Sequence, residues 1–130
     1  MRRRGWLLFL GLLLLAACKS AEEGLRQRVE EYWHLRLAGD LVKAYEYEYP
    51  TFRKKMGLNA YISSRNNPLA RYVEAKILAI KFPEKDVAEV EMEFGIEVKL
   101  MGAKKPFTTR FKRTERWVKV DGRWYHVPAE

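Results

Sequence analysis

The alternation of apolar and polar residues between positions 90 and 100 constrains the fold of this chain more than any other feature. Four charged residues and one glycine separate the apolar ones. A period of two with one apolar side predicts a long β-strand that buries one face. That face needs a second layer of structure to cover it. The apolar residues of this strand are Val90, Met92, Phe94, Ile96, Val98 and Leu100.

The neighbouring segments predict a four-stranded antiparallel meander. Residues 71–82 are rich in aromatic and branched apolar side chains, and residues 107–120 form a third strand-like segment. Asp121 and Gly122 are a strong signal for a two-residue hairpin turn, which leads into a last strand at 123–127. Successive strands joined by such turns usually pair as neighbours.

The turn at residues 102–106 suggests a register in which the numbers of paired residues sum to 207. Opposite charges then face each other on the solvent side and apolar groups on the core side, as stable sheets prefer. The expected facing pairs are Glu97 with Arg110, Glu91 with Arg116, Val98 with Thr109, Ile96 with Phe111, and Val90 with Trp117.

The same register places two charged residues, Arg113 and Glu115, on the otherwise apolar face. Two explanations are open. A β-bulge near Arg113 would invert the phase of the strand and return both charges to water. Alternatively, both side chains line a concave pocket beside Phe94 and Met92. We favour the bulge.

The N-terminal half has a helical period. Apolar residues recur every four positions at Leu25, Val29, Trp33 and Leu37, which predicts an amphipathic helix. Gly39 suits the C-terminal cap of that helix. The sequence therefore begins with helices and ends with strands, an order typical of an α+β fold with the helices on one sheet face.

Two further helices complete the predicted helical layer. Asp40 suits the N-cap of a second helix over residues 41–48, which Pro50 would end. A third short helix is expected from Thr51 to about residue 62, with Thr51 as its cap. The predicted fold class is α+β, with three N-terminal helices packed on a curved four-stranded antiparallel sheet.

The first 17 residues have the order of a secretory signal peptide. Three arginines at positions 2–4 precede an apolar run at residues 6–15, which is interrupted only by Gly11. This run of ten residues is too short for a membrane-spanning helix, which needs roughly 20. Ala16 and Ala17 are small residues that suit cleavage before Cys18.

Leu15, Ala16, Ala17 and Cys18 resemble the lipobox of bacterial lipoproteins. This resemblance implies that Cys18 is acylated and becomes the new N-terminus after cleavage. Two or three acyl chains anchor a protein firmly, whereas one chain anchors it only marginally. The alternatives are an ordinary signal peptide with a chance cysteine, or a buried free thiol.

The rest of the chain forms one domain. Residues 18–24 are expected to be the acylated cysteine and a short polar tether, and residues 25–130 the α+β domain. An exported chain with a single cysteine has no internal disulfide, so packing alone must stabilise it. Residues 18–130 carry 22 Lys and Arg against 17 Asp and Glu. Export argues against a nucleic-acid partner, and the interspersed charges favour a solvated surface.

Two segments resemble the NTF2-like superfamily (SnoaL-like, cystatin-type α+β). They are "LRLAGDLVKAYEY" at residues 35–47 and "RWVKVDGRWYHVP" at residues 116–128. The resemblance implies three helices packed on a strongly curved sheet, which together form a cone that is open at one end. In that superfamily the mouth of the cone serves catalysis, small ligands or protein contacts, so the fold alone does not define the function.

Candidate chemistry is sparse. Acid or base catalysis in the mouth would draw on side chains that match no catalytic motif of the superfamily: His34, Asp40, Tyr45, Tyr47, Tyr49 and His126. No phosphate-binding loop, nucleophile elbow or metal-ligand spacing occurs, so no cofactor and no metal are expected. The residues that we expect in the pocket or on its rim are Tyr45, Tyr49, Phe94, Arg113, Glu115 and Trp117.

The favoured function is that of a noncatalytic envelope lipoprotein, anchored in the membrane, which binds a small apolar ligand or a protein partner through the cone mouth or the sheet. The alternative is a small lyase- or isomerase-type enzyme that uses an acid/base pair in the pocket. Lys19 follows the cysteine where Asp would signal inner-membrane retention. The periplasmic face of an outer membrane is therefore the expected location in a source with two membranes.

Overall fold

A computed structural model describes the backbone of residues 2–129 and the side chains of residues 20–129. Within this part of the chain, four helices precede four strands. The helices are α1 (Arg2–Leu37), α2 (Leu41–Tyr45), α3 (Pro50–Lys55) and α4 (Leu58–Arg65). The strands are β1 (Ala70–Glu84), β2 (Val87–Val98), β3 (Phe107–Val120) and β4 (Arg123–Val127).

The four strands form one antiparallel sheet in the order β1-β2-β3-β4, so the predicted meander is confirmed. Asp121 and Gly122 both have positive φ, of 50° and 79°, which is the geometry of the expected two-residue hairpin turn. The register of β1 against β2 shifts at three places. Such bulges bend and twist a strand, and they also make an exposed edge a poorer template for pairing.

The predicted register between β2 and β3 was wrong by two residues. The observed pairs include Phe94 with Phe111, and Gly95 with Arg110. In this register the centres of the two phenylalanine rings are 5.5 Å apart. The register also lets Arg110 reach Glu74 on β1 across Gly95 at 2.9 Å, and Glu93 diagonally at 3.6 Å. A shift of two residues preserves the face of every side chain, whereas a shift of one would have inverted it.

The favoured bulge near Arg113 is absent from the ladder between β2 and β3, which runs without interruption from Val87 to Val98 on β2. Arg113 and Glu115 therefore stay on the inner face, in agreement with the second of the two explanations. Glu115 is buried there, with 4% of its surface exposed.

The helical layer has four helices, because the expected third helix is divided in two. Pro50 does not end a helix as predicted but occupies the first turn of α3, where its missing N–H costs nothing. Tyr49, rather than Thr51, is the N-cap of α3. The backbone becomes extended at Met56 (φ −124°, ψ 111°), and α4 begins after Gly57.

The turn between α1 and α2 has the predicted caps. Gly39 has a φ of 76°, and the N–H of Asp40 donates to the carbonyl of Leu35 at 2.9 Å, as in a Schellman motif. The carboxylate of Asp40 then accepts from the N–H of Lys43 at 3.2 Å and caps α2. Asp40 thus has the structural role that its position indicates.

The first helix is longer than the apolar pattern predicts. It continues toward the N-terminus beyond Leu25, so residues 19–24, which were interpreted as a tether, are helical. The side chains of Ala17 and Cys18, on which the predicted cleavage and acylation depend, lie outside the described residues. Among the residues that the structure describes, no helix combines the length and the apolar character of a membrane span.

The core lies between α1 and the inner face of the sheet. Leu25, Val29 and Trp33 on α1 are buried, as their spacing predicts. They pack with Tyr32, with alternate residues of β2, and with Trp117 and Trp124 from β3 and β4. Leu37, the last member of the apolar series, is 37% exposed because it borders an open cleft.

Candidate functional site

A cleft of about 1060 Å³ opens between the α1–α2 turn, α4 and the inner face of the sheet. Its wall is partly apolar, with contributions from Leu41, Ile62, Ile96 and Phe111. Five arginines line it, and they are Arg36, Arg65, Arg71, Arg113 and Arg116. The cleft wall also includes Glu115 and His126, which belong to a buried cluster of charged groups.

The backbone next to β4 places an acidic residue in that cluster. Residues 47–49 run parallel to β4, with the N–H of Tyr49 donating to the carbonyl of His126 at 2.8 Å. The N–H of His126 donates to the carbonyl of Tyr47, also at 2.8 Å. This short parallel bridge points the side chain of Glu48 toward that of His126, and both are buried.

The imidazole of His126 lies between two carboxylates. Its Nδ1 is 2.9 Å from Oε2 of Glu48, and its Nε2 is 2.9 Å from Oε2 of Glu115. Burial disfavours the charged ring, but the hydrogen bonds with Glu115 and Glu48 and their negative charges outweigh this effect. Together they raise the pKa of His126 to about 9. At neutral pH the ring is therefore an imidazolium that donates to both carboxylates.

Glu115 is held as a carboxylate by further donors. Burial alone would raise its pKa, but the hydrogen bonds from His126 and Trp33 and the nearby charge of Arg113 lower it. Nε1 of Trp33 donates to Oε1 of Glu115 at 2.7 Å, and Nη2 of Arg113 approaches Oε2 at 3.4 Å. The carboxylate thus receives donors at both oxygens.

Glu48 is similarly surrounded by donors. The hydroxyls of Tyr32 and Tyr61 both donate to its Oε1, the latter at 3.2 Å. Burial, together with the charge of Glu48, raises the pKa of Tyr61 to about 12 and that of Tyr32 well above its ordinary value. Both phenols therefore remain protonated and act as donors at neutral pH.

Two arginines connect this cluster to the cleft. Nη1 of Arg36 donates to the hydroxyl of Tyr32 at 2.7 Å, and Arg113 contacts Glu115. The result is a continuous chain of hydrogen bonds with an arginine at each end. We call it the buried chain, and its members are Arg36, Tyr32, Glu48, His126, Glu115 and Arg113.

The hydrogen bonds of the buried chain limit its chemistry. Both nitrogens of His126 are engaged by carboxylates, so neither is available to take a proton from a molecule in the cleft. Each oxygen of Glu48 and Glu115 already accepts at least one hydrogen bond. The arrangement suits fixed electrostatics and the positioning of the two arginines better than proton transfer.

The residues predicted for the pocket divide into three groups. Arg113 and Glu115 line the cleft. Phe94 and Trp117 are fully buried in the core, with Phe94 packed under Arg113. The remaining two lie elsewhere. Tyr45 binds the backbone carbonyls of α3 and of the residue that follows it, and Tyr49 caps α3.

The other candidates for acid or base catalysis also differ in position. His34 is exposed on α1 and lies by a different, smaller groove. Tyr47 donates to Glu31 at 3.0 Å. Of the two histidines, only His126 lies in the wall of the cleft.

Sequence reasoning missed Glu48, Tyr32, Tyr61 and Arg36. In "YEYEY" at residues 45–49, Tyr45 ends α2, residues 46–47 form a turn and only Glu48 makes a β-bridge, so the alternation of residue types was no signal for Glu48. The sequence predicted that the second helix continues to residue 48, whereas it ends at Tyr45 and leaves Glu48 free to pair with β4. The positions of Tyr32, Tyr61 and Arg36 in the sequence do not distinguish a role in a polar cluster from ordinary packing on a buried helix face.

Within residues 20–129, no group of three or more His, Cys, Asp or Glu side chains is arranged to hold a metal ion. No protein-family model matches the sequence. No curated protein matches it either.

Solved structures with a similar fold do exist. One is a SEC-C motif containing protein from Rhodopseudomonas palustris, with a TM-score of 0.57 and 15% identity over 75% of this chain and 70% of that one. Another is the CaMKII hub homology domain of Chlamydomonas reinhardtii, with a TM-score of 0.54 and 21% identity over 82% of this chain and 93% of that one. The α+β fold is thus similar to that of the hub domain and compatible with the NTF2-like expectation.

Proposed function

We propose that this chain is an envelope lipoprotein with an NTF2-like domain, and that it binds a small molecule in the cleft without transforming it. The cleft supplies the observation that carries the proposal. It has the volume of a typical small-molecule site, and its wall combines apolar side chains with a few fixed polar groups. Ile96 and Phe111 offer an apolar surface, and Arg36 and Arg113 offer donors.

The buried chain favours binding over catalysis. A general base needs a free lone pair within hydrogen-bond reach of the substrate. His126, the best-placed candidate, has both nitrogens occupied, and its raised pKa keeps it protonated at neutral pH. What the cluster provides to the cleft is a rigid pair of guanidinium groups.

The enzyme alternative has one observation in its favour, since an imidazole and a carboxylate lie together in the cleft wall. A lyase or isomerase of this type would remove a proton bound to carbon. Incubating the chain with its ligand in D₂O should then introduce deuterium into the ligand. We expect no incorporation above that of a sample without protein, and incorporation that His126→Gln abolishes would establish the enzyme instead.

The membrane part of the proposal depends on Cys18. The order of charged, apolar and small residues before it supports acylation, and Lys19 supports placement on the periplasmic face of an outer membrane. The partners proposed are thus the membrane, through the acyl chains, and a small molecule, through the cleft. An envelope protein that binds the mouth or the sheet is the alternative partner.

Native mass spectrometry of the full chain, extracted from its own envelope in a neutral detergent, tests the ligand. We expect an added mass of a few hundred daltons that is lost on denaturation. Ala70→Trp, which adds bulk in the cleft, should abolish it, while Ala103→Trp, in the exposed β2–β3 turn, should not. A chain that carries no small molecule, or one whose ligand survives Ala70→Trp, would contradict the proposal. Co-purification of a protein instead would favour the alternative partner.

A further inference from the structure

We propose that the cleft binds an oxyanion, a carboxylate or a phosphate, between Arg36 and Arg113. This inference rests on the proposed small-molecule binding and names the chemical group by which the ligand is held. An apolar ligand, as the sequence suggested, would leave these two arginines without a role in recognition. A ligand with an apolar body and an anionic head would use both parts of the cleft wall.

The charges of the buried chain supply the first argument. At neutral pH it contains three cations, Arg36, His126 and Arg113, and two anions, Glu48 and Glu115. His126 is enclosed between the two carboxylates, at 2.9 Å from each. One positive charge is therefore left in excess, and it is shared by the two arginines at the ends of the chain. A bound monoanion would balance it.

The second argument is the number of donors that remain. An arginine side chain has five N–H groups. Among the described residues, Arg36 donates to the hydroxyl of Tyr32, and Arg113 donates to the hydroxyl of Tyr72 and to Glu115. Both guanidinium groups line the cleft with most of their N–H groups still available. Planar guanidinium groups bind carboxylate and phosphate oxygens in pairs, which is the match that we infer.

The third argument is that both guanidinium groups are held in place before any ligand binds. The Cζ of Arg113 lies 4.5 Å from the centre of the Phe94 ring, and that of Arg36 lies 5.0 Å from the Trp33 ring. Both are also within 6 Å of the Tyr72 ring, at 5.8 and 5.7 Å. Because packing and hydrogen bonds fix these side chains, little rotamer entropy is lost on binding.

The rim of the cleft adds to the positive potential. Arg65 and Arg116 lie there, while Arg71 is paired with Glu97 at 3.3 Å. The acidic residue on this rim, Asp40, is engaged as the cap of α2. A cleft lined mostly by one sign of charge concentrates ligands of the opposite sign.

Three probes with the same eight-carbon tail test the inference on the full chain in neutral detergent. Octanoate carries a carboxylate, octyl phosphate carries a phosphate, and 1-octanol carries neither. Isothermal titration calorimetry, corrected for partition into empty micelles, gives the affinities. We expect at least one of the two anions to bind at least tenfold more tightly than 1-octanol, and the tighter of the two identifies the head group.

Arginine variants then locate the binding. Arg36→Gln removes one guanidinium group, and Arg113→Lys keeps the charge but loses the planar fork. Each should weaken binding of the preferred anion at least tenfold. Arg26→Gln is the matched control, because Arg26 lies on the same helix as Arg36 but outside the cleft. Circular dichroism checks that each variant folds. If Arg113→Lys does not fold, the affinity of Arg36→Gln alone tests the inference.

The outcomes separate this inference from the function on which it rests. If 1-octanol binds as tightly as both anions, and the arginine variants bind as the wild type does, the cleft is a site for apolar ligands. The inference then fails while the proposed function stands. If none of the three probes binds, the inference fails, and native mass spectrometry of the full chain decides whether the proposed function fails with it. If an anion binds but Arg26→Gln weakens it as much as Arg36→Gln does, the anion site lies elsewhere and the inference is overturned.

Discussion

Replacing His126 with glutamine tests the central electrostatic feature of the structure, a buried imidazolium between two carboxylates. Glutamine can keep one hydrogen bond, but it leaves Glu48 and Glu115 without the cation that neutralises them. Breaking a buried ion pair in this way typically costs about 3–5 kcal/mol. We therefore expect His126→Gln to lower the free energy of unfolding by about that amount at pH 6.

The direction of the pKa shift of His126 determines how the stability should change with pH. The pKa of His126 is raised from 6.5 to about 9 in the folded state. A raised pKa stabilises the fold fully below the unfolded value of 6.5, and the contribution is lost as pH rises through about 9. This shift corresponds to about 3 kcal/mol. The difference between wild type and His126→Gln should therefore shrink by about 3 kcal/mol between pH 6 and pH 9.5.

Urea unfolding of the full chain, followed by tryptophan fluorescence at several pH values, measures this difference. His34→Gln is the matched control, because His34 is exposed on α1, and it should follow the wild type within about 0.5 kcal/mol. If His126→Gln does not fold at pH 6, the wild type and the control should still lose about 3 kcal/mol across the window. A stability that is flat from pH 6 to 9.5 in the wild type would refute the buried imidazolium.

Three further predictions concern single contacts. In urea unfolding, Trp33→Phe should lower the free energy of unfolding by about 1.5–3 kcal/mol more than Trp117→Phe does. The reason is that Nε1 of Trp33 donates to the Glu115 carboxylate, while that of buried Trp117 has no partner among the described residues. Equal losses of stability would contradict this prediction. Gly122→Ala should cost about 1 kcal/mol, since its φ is 79°, and a neutral effect on the urea midpoint would be inconsistent with the turn. Cys18→Ser should abolish labelling of the chain with radioactive palmitate in growing cells, and labelling that persists would exclude the acylated cysteine.

The sheet could be predicted from the sequence because alternation reports directly which face of a strand is buried. The strand bounds of β3 and β4 were correct, but the favoured bulge would have put Arg113 on the wrong side of β3. The predicted register was wrong by two residues, since a period of two fixes which face each residue takes but not which residues pair. The observed pairing brings together Phe94 with Phe111 and Arg110 with Glu74 and Glu93, and periodicity contains neither kind of contact.

The buried chain was much harder to predict. Glu48 and His126 are 78 positions apart, and local patterns carry no information about so distant a contact. His126 is a candidate from the sequence, but its partner Glu48 lies in a segment that the sequence predicts to be helical. Arg113 and Glu115 were noticed because charge on an apolar face conflicts with the pattern. Such conflicts are often where function lies.

The unbroken first helix has a consequence for geometry at a membrane. The cleft meets α1 at its C-terminal end, around Arg36, and the helix runs back from there to Cys18 without interruption. At 1.5 Å per residue, these 18 steps span about 27 Å. If Cys18 carries the proposed acyl chains, α1 is a helical spacer between the lipid anchor and the cleft. The cleft would then lie as much as about 27 Å from the acylated residue, at the opposite end of the helix.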